Sequence, residues 1–392
     1  MRGAANNVNG HLVEPAAASA SQWQCESAEF SVIYDEPLVP LRVEAAIAKL
    51  YGSLYSSIPL LAIYDSLTPD VCSWTLQHGG KPVAIFLFHA RSSVATVINE
   101  GMRVETAHAR EFCRWVFAHF PRVSAVRFSN VEWKADGKLA YPCQHFPSLE
   151  NIVLSLPASQ EEYHASLSKN LRRNLKRYPE RLLRDYPDYH CEFISGDKIA
   201  DSDVRAIVGL NIERMASKHK QSAYDDEETG RILRLVRQCG LVGVARIGGR
   251  VAAGAISFVT GENVALSILA HDPVYNDYSL GILCAFQTIQ HCIGRGAREF
   301  HFLWGRYDYK FLLGARERPL SRVVIYRSWL QAFTHVDLWL YHFSERLKRR
   351  GGERLHQMAH SHSRAARLAV SSLDNVRGLR QLARRVCGRA EK

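Results

Sequence analysis

The sequence lacks the marks of several function classes. Its nine cysteines (Cys25, Cys72, Cys113, Cys143, Cys191, Cys239, Cys284, Cys292 and Cys387) are scattered, with no CxxC pair and no clustered histidines. That pattern argues against a disulfide framework and a zinc site, and for a reducing compartment. No run of residues approaches the roughly 20 apolar positions of a membrane span. Residues 1–22 have no basic segment followed by an apolar core, so they read as a disordered arm rather than a signal peptide. Zinc-finger spacing and the aromatic RNA-binding motif are missing too, which argues against specific nucleic-acid recognition. The expectation from these absences is a cytoplasmic chain without a metal.

What remains suits two ordinary domains and a tail. The chain has 392 residues, 47% hydrophobic and 23% charged, enough to bury a real core at ordinary globular composition. The net charge of +11 is unevenly placed: from Arg327 to the end there are 14 Lys/Arg against 5 Asp/Glu, a surplus of +9, leaving +2 for everything before. The folded body is therefore nearly neutral and the tail basic.

Two stretches repeat one pattern. "GGKPVAIFLFHARSSVATVIN" (Gly79 to Asn99) and "GGRVAAGAISFVTGENVALSILA" (Gly248 to Ala270) each read as a Gly-Gly turn, an apolar strand, a polar turn and a second apolar strand. A helix-period segment follows each, Ala107 to Phe120 and Leu280 to Ile293, and then a β-type run, "VSAVRFSNV" or "REFHFLWG". Matched order and spacing imply two copies of one α/β unit. Between them "LSKNLRRNLKRYPERLLRD" predicts a basic helix from about Glu161, "DSDVRAIVGLNIERMASKHK" a capped second helix, and "RILRLVRQCG" a third that leads into the strand "LVGVARI". The expected organisation is a disordered arm at 1–22, a degenerate unit at 23–160, a second unit at 161–328 carrying the presumed active site, and a basic helical tail at 329–392.

This order, with the "GGRVAAGAISF" hairpin, "HDPVYNDYSLGILCAFQTIQ" and "FLWGRYDYKFLLG", resembles the GNAT superfamily of N-acetyltransferases. It is most similar to the CelD-like bacterial branch associated with cellulose and exopolysaccharide biosynthesis, akin to the Fem peptidoglycan aminoacyltransferases, which carry two such units. The likeness covers about Ser166 to Ser328 well, and the first half through the internal repeat alone. It implies an α/β fold of two GNAT-like units, mixed central sheets flanked by helices. Where the branch tends to carry Gly-Asp-Glu-x-Tyr-Lys, this chain reads Gly305, Arg306, Tyr307, Asp308, Tyr309, Lys310. The Gly, Tyr and Lys positions agree, while Arg306 and Tyr307 replace acids.

The donor implied by the resemblance is acetyl-CoA, a co-substrate with a diphosphate that suits the N–H groups and dipole of a helix start. "NDYSLGIL" fits such a start, with Tyr278, Ser279, Leu280 and Gly281 at its turn and Gly305 and Lys310 as further donor contacts. In the fold it resembles, two strands splay around the donor's arm and bring the thioester close to Trp304 and Gly305. Transfer to an amine needs a base and an acid: Tyr309 or Tyr307 suits the acid, and Asp308 and His271 are the nearby base-like groups. Arg172, Arg173 and Lys176 make a basic face that suits either an anionic acceptor such as a lipid-diphosphate-linked sugar or plain solvation of the helix, with Glu213 and Arg214 on the next helix where this fold shapes its acceptor site.

In the tail, Trp329, Phe333, Trp339, Leu340 and Phe343 precede Arg346, Lys348, Arg349 and Arg350. Aromatics beside a basic cluster suit either packing on the second unit or peripheral contact of 329–350 with an anionic membrane. The resulting expectation is an acetyl-CoA-dependent N-acyltransferase acting on an amine of a sugar or sugar-lipid precursor. Its rivals are a Fem-like transferase using aminoacyl-tRNA and a non-catalytic, membrane-associated partner of a polysaccharide synthase.

Overall fold

The computed structural model describes residues 12–13, 21–24, 30–36, 39–217 and 222–334. The first repeat runs β1 (Leu12–Val13), β2 (Ser21–Gln24), β3 (Phe30–Asp35), β4 (Val39–Pro40), α1 (Leu41–Tyr51), α2 (Ile58–Ile63), β5 (Cys72–His78), β6 (Lys81–Arg91), β7 (Val94–Val97), β8 (Arg103–Glu105), α3 (Thr106–His119), β9 (Ala125–Lys134) and β10 (Cys143–Ser155). Then come α4 (Gln160–Ser166), α5 (Lys169–Asp185), β11 (His190–Ser195), α6 (Asp201–Ser217), α7 (Asp226–Cys239), β12 (Gly240–Ile247), β13 (Arg250–Thr260), β14 (Asn263–His271), α8 (Leu280–Gly294), β15 (Glu299–His301), α9 (Asp308–Leu312), β16 (Arg316–Tyr326) and α10 (Trp329–Thr334).

Local chemistry accounts for the helix boundaries. The basic segment expected as one helix from Glu161 is two, because Ser168 accepts a hydrogen bond from the Leu171 N–H at 3.3 Å and starts α5 afresh. Leu171, Leu175 and Leu182 bury one face of α5 and leave its basic residues outward. Asp225 caps α7 by accepting from the Glu228 N–H at 2.9 Å. The arm expected at 1–22 contributes Ser21 and Gln22 to β2, which pairs with β3, and Leu12–Val13 pair with Val39–Pro40. Strand pairing satisfies their backbone groups there.

One sheet runs through both repeats in the order β11-β12-β13-β14-β15-β10-β16-β9-β7-β6-β5-β3-β2, with β8 also on β9. Alternate side chains of β12 serve two cores. Leu241 and Ala245 join Tyr163 of α4, Leu175 of α5 and Leu283 of α8, whereas Val242 and Val244 join Ile207 of α6 and Ile232 of α7. The α8 helix and the α6–α7 pair therefore cover opposite faces.

The centre of the sheet is an exchange. β10 follows the first repeat, yet it pairs with β15, and its Ile152 and Leu154 lie in the core under α8. β16 ends the second repeat, yet it pairs with β9, and its Val323 and Ile325 lie in the core under α3. Each repeat is completed by a strand next to the other repeat's last one, and β10 and β16 pair with each other.

The chain divides into two compact bodies, Met1–Trp329 and Leu330–Lys392. In the second, Leu330 and Phe333 are exposed, and of the segment 329–350 expected to contact a membrane, 335–350 lies outside the described residues. No helix among the described residues is long and apolar enough to cross a membrane.

Candidate active site

β14 and β15 run parallel for three residue pairs, Asn263–Glu299 to Ala265–His301. Beyond them the strands part. Phe302 donates its N–H to the Ile152 carbonyl at 2.8 Å and Leu303 accepts from the Ile152 N–H at 3.0 Å, so the chain leaving β15 follows β10. β14, bulged at Ser267, continues alone to His271. Among the described residues its edge past Ala265 has no strand partner on the β15 side, and the slot lies there.

The chain turns back at the slot's mouth through two residues in the left-handed region, Leu303 at φ 56° and Gly305 at φ 90°. A bulky residue rarely accepts that conformation, and this one is fixed by its carbonyl's bond to Ile152 and by a lysine. Lys310 is buried, and its Nζ donates to the carbonyls of Phe302 and Trp304 at 2.8 Å each. Burial lowers its pKa to about 8. The phosphate contact expected of Lys310 gives way to this: its charge is spent inward, holding the turn.

At the other end of the slot, Ser279 at φ 50° leads into α8. Gly281 is required by close approach, because a Cβ there would stand 2.7 Å from Nδ1 of His271. His271 in turn places Nε2 2.8 Å from Oδ1 of Asn276. His271 therefore closes the turn between β14 and α8, and the structure does not bring it to Tyr309. Tyr278 donates to Asp185 at 2.9 Å, and the Arg181 guanidinium lies 4.9 Å over the Tyr278 ring and 3.5 Å from the Asp277 carbonyl. The basic helix thus abuts the helix start through Arg181, a residue that sequence reasoning counted among the helix cations without assigning it to the site.

The other basic residues sit elsewhere. Arg172 bonds the Ala165 carbonyl at 3.4 Å, and Arg173 and Lys176 are exposed near the start of α5, with Arg172 some 13 Å along the axis from Arg181 at about 1.5 Å per residue. They share the α8 face, whereas Glu213 and Arg214 on α6 occupy the opposite one, so these five residues do not form one acceptor site. Glu213 lines a cavity of about 340 Å³ with Leu210, Arg250, Asp272 and Tyr275.

Arg214 acts on the strand tip only through its charge. Burial raises the Tyr309 pKa to about 12, and the Arg214 charge pulls the other way. Tyr309 packs 6.0 Å from the Phe302 ring and 6.3 Å from Tyr307, which is exposed, as is Asp308. Tyr309 stays protonated at neutral pH. Sequence reasoning missed the contribution of the first repeat: the Tyr55 ring packs tilted on Trp304, centroids 4.4 Å apart, a contact across 249 positions with no local signal.

Residues 169–311 match the family model described as an acetyltransferase (GNAT) domain. That match falls within the second repeat. In fold the chain is similar to FemX, at a TM-score of 0.52 and 7% identity, over 72% of this chain and 95% of that one. More remote likenesses are to L-PGS from Bacillus licheniformis (TM-score 0.44, 11% identity, 78% and 97% covered) and to a tandem GNAT protein from the clavulanic acid biosynthesis pathway (0.31, 14%, 73% and 93%). No curated protein matches the chain in sequence.

Proposed function

We propose that this GNAT domain transfers an acetyl group from coenzyme A to an amine of a sugar or sugar-lipid precursor in bacterial polysaccharide or envelope biosynthesis, as in the CelD-like branch, at the inner face of the cytoplasmic membrane. The observation that carries the reading is the open slot between β14 and β15 beside the start of α8. Unpaired strand edge suits the amide groups of a pantetheine arm, and a helix start with Arg181 beside it suits a diphosphate. Bound there, the donor supplies a thioester. Around it Lys310 fixes the backbone at Trp304, and Tyr309 holds a proton for the leaving sulfur.

Calorimetric titration with acetyl-CoA tests this. Micromolar binding, one per chain, that disappears in Gly281→Glu supports the reading; absence of binding to the native chain overturns it. The fold likeness to FemX favours a second reading, an aminoacyl group taken from charged tRNA. That reading gains if aminoacyl-tRNA binds and acetyl-CoA does not.

A further inference from the structure

The first repeat sends one loop to the mouth of the second repeat's slot. Glu100 donates its N–H to the Tyr55 carbonyl at 3.1 Å, and its own carbonyl accepts from Ser53 Oγ at 2.9 Å and Ser56 Oγ at 2.7 Å. Gly101 follows at φ 70°, with Ser53 Oγ 2.5 Å from where a Cβ would stand. The backbone of Glu100 is thereby clamped beside Tyr55, whose ring lies on Trp304 at the strand tip.

The carboxylates near this point differ in what they already bind. Glu299 is held bidentately by Arg318 at 2.7 and 3.1 Å. Glu228 accepts from Tyr64 and lies 3.5 Å from Arg231. Glu100 is half-buried, its Oε2 accepts from Asn130 Nδ2 at 2.7 Å, and Oε1 makes no hydrogen bond among the described residues. Burial raises its pKa, and the charge of Arg322 on β16 pulls the other way. A carboxylate sunk this far with one neutral donor retains capacity for a cation, and the exposed side of the Trp304 ring favours the same charge.

We propose that Glu100 is a specificity-determining residue of the acceptor side, pairing with the ammonium group of a primary-amine acceptor next to Trp304. This rests on the amine-acceptor reading above. The first repeat then contributes acceptor recognition to a slot built by the second.

The test uses the full chain with D-glucosamine as the probe, N-acetylglucosamine as its uncharged counterpart, and acetyl-CoA in parallel. Calorimetry is expected to show glucosamine bound at least tenfold more tightly than N-acetylglucosamine. Glu100→Gln should remove that preference, Glu100→Asp should restore part of it, and the acetyl-CoA Kd should stay within twofold in both variants. Equal affinity for the two sugars in the native chain, no glucosamine binding, or a preference that survives Glu100→Gln overturns the proposal. The comparison of sugars in the native chain decides the matter even if a variant fails to fold. Lost acetyl-CoA binding with a glucosamine preference that still depends on Glu100 would sink the donor reading alone.

Discussion

In the first repeat the chain that leaves β7 returns to β9; in the second, the chain that leaves β15 turns away from β14 onto β10. Both repeats begin alike, with three parallel pairs, Val94–Ala125 to Thr96–Arg127 and Asn263–Glu299 to Ala265–His301. In the first, the Gly101 N–H then bonds the Asn130 carbonyl at 2.8 Å, the Glu132 N–H bonds the Met102 carbonyl at 2.9 Å, and β8 pairs with β9 from Arg103 to Glu105. The slot is filled by the chain's own backbone. At the start of α3 the Thr106 N–H is taken by Asp136 at 3.0 Å, so the chain's own carboxylate sits where an anion would. One fold thus gives a site or a support according to whether its backbone edges and helix start are already satisfied.

The largest expected effect comes from breaking the comparison altogether. Expressed apart, 23–160 lacks β16 over its α3 core and 161–334 lacks β10 under α8, so neither half is expected to show a cooperative melt by near-ultraviolet circular dichroism, whereas the two co-expressed should recover one.

Single residues at the exchanged strands come next. Glu299 is held at about 2 by the His301 hydrogen bond first and by Arg318 as well. A depressed carboxylate pKa contributes stability that is present above the unfolded value and lost as pH falls from about 4.5 to about 2. Glu299→Gln should cost about 2–3 kcal/mol at pH 7, and urea midpoints of native and variant chains should converge as the medium is acidified. Lys310 has the opposite sign. Its folded pKa of about 8 lies below the usual 10.5, so the unfolded chain binds more protons between them and the stability contributed by Lys310 rises with pH across that window. Lys310→Met leaves two carbonyls unpaired, about 1–3 kcal/mol each, and its stability deficit in urea should widen from pH 8 to pH 10.

Smaller effects sharpen the difference between the helix starts. Gly281→Ala pushes a Cβ onto His271 and should weaken acetyl-CoA roughly tenfold, or 1.4 kcal/mol, while Asp136→Ser at the other helix start leaves both affinity and the one-to-one stoichiometry unchanged. Arg181→Glu should weaken acetyl-CoA by only several-fold, because Arg181 is partly exposed and screened, with the loss shrinking at high salt by the same calorimetry.

Much of this was legible in the chain. The Gly-Gly turns, paired apolar runs and following helices stand where β6, β7, α3 and β13, β14, α8 form, because alternation and 3.6-residue periodicity are local properties. Tyr309 and Arg214 were legible as candidates, and the Arg214 charge acts on the Tyr309 hydroxyl. Lys310 was legible by type but not by role, since a lysine's sequence neighbours do not reveal that its ammonium will face inward to two carbonyls. Gly281 and His271 were read as separate functions and are one packing contact.

The sequence alone determined the repeat, the order of its elements and the chemistry available at "GRYDYK", because each depends on residues close along the chain. Tertiary structure alone decided which repeat is open, that β10 and β16 exchange partners, and that Tyr55, tied to Glu100 through its backbone, packs on Trp304. The reason is physical: a strand's periodicity fixes which face it buries but leaves its neighbour unspecified, and backbone hydrogen bonds, which any residue but proline can make, carry no address.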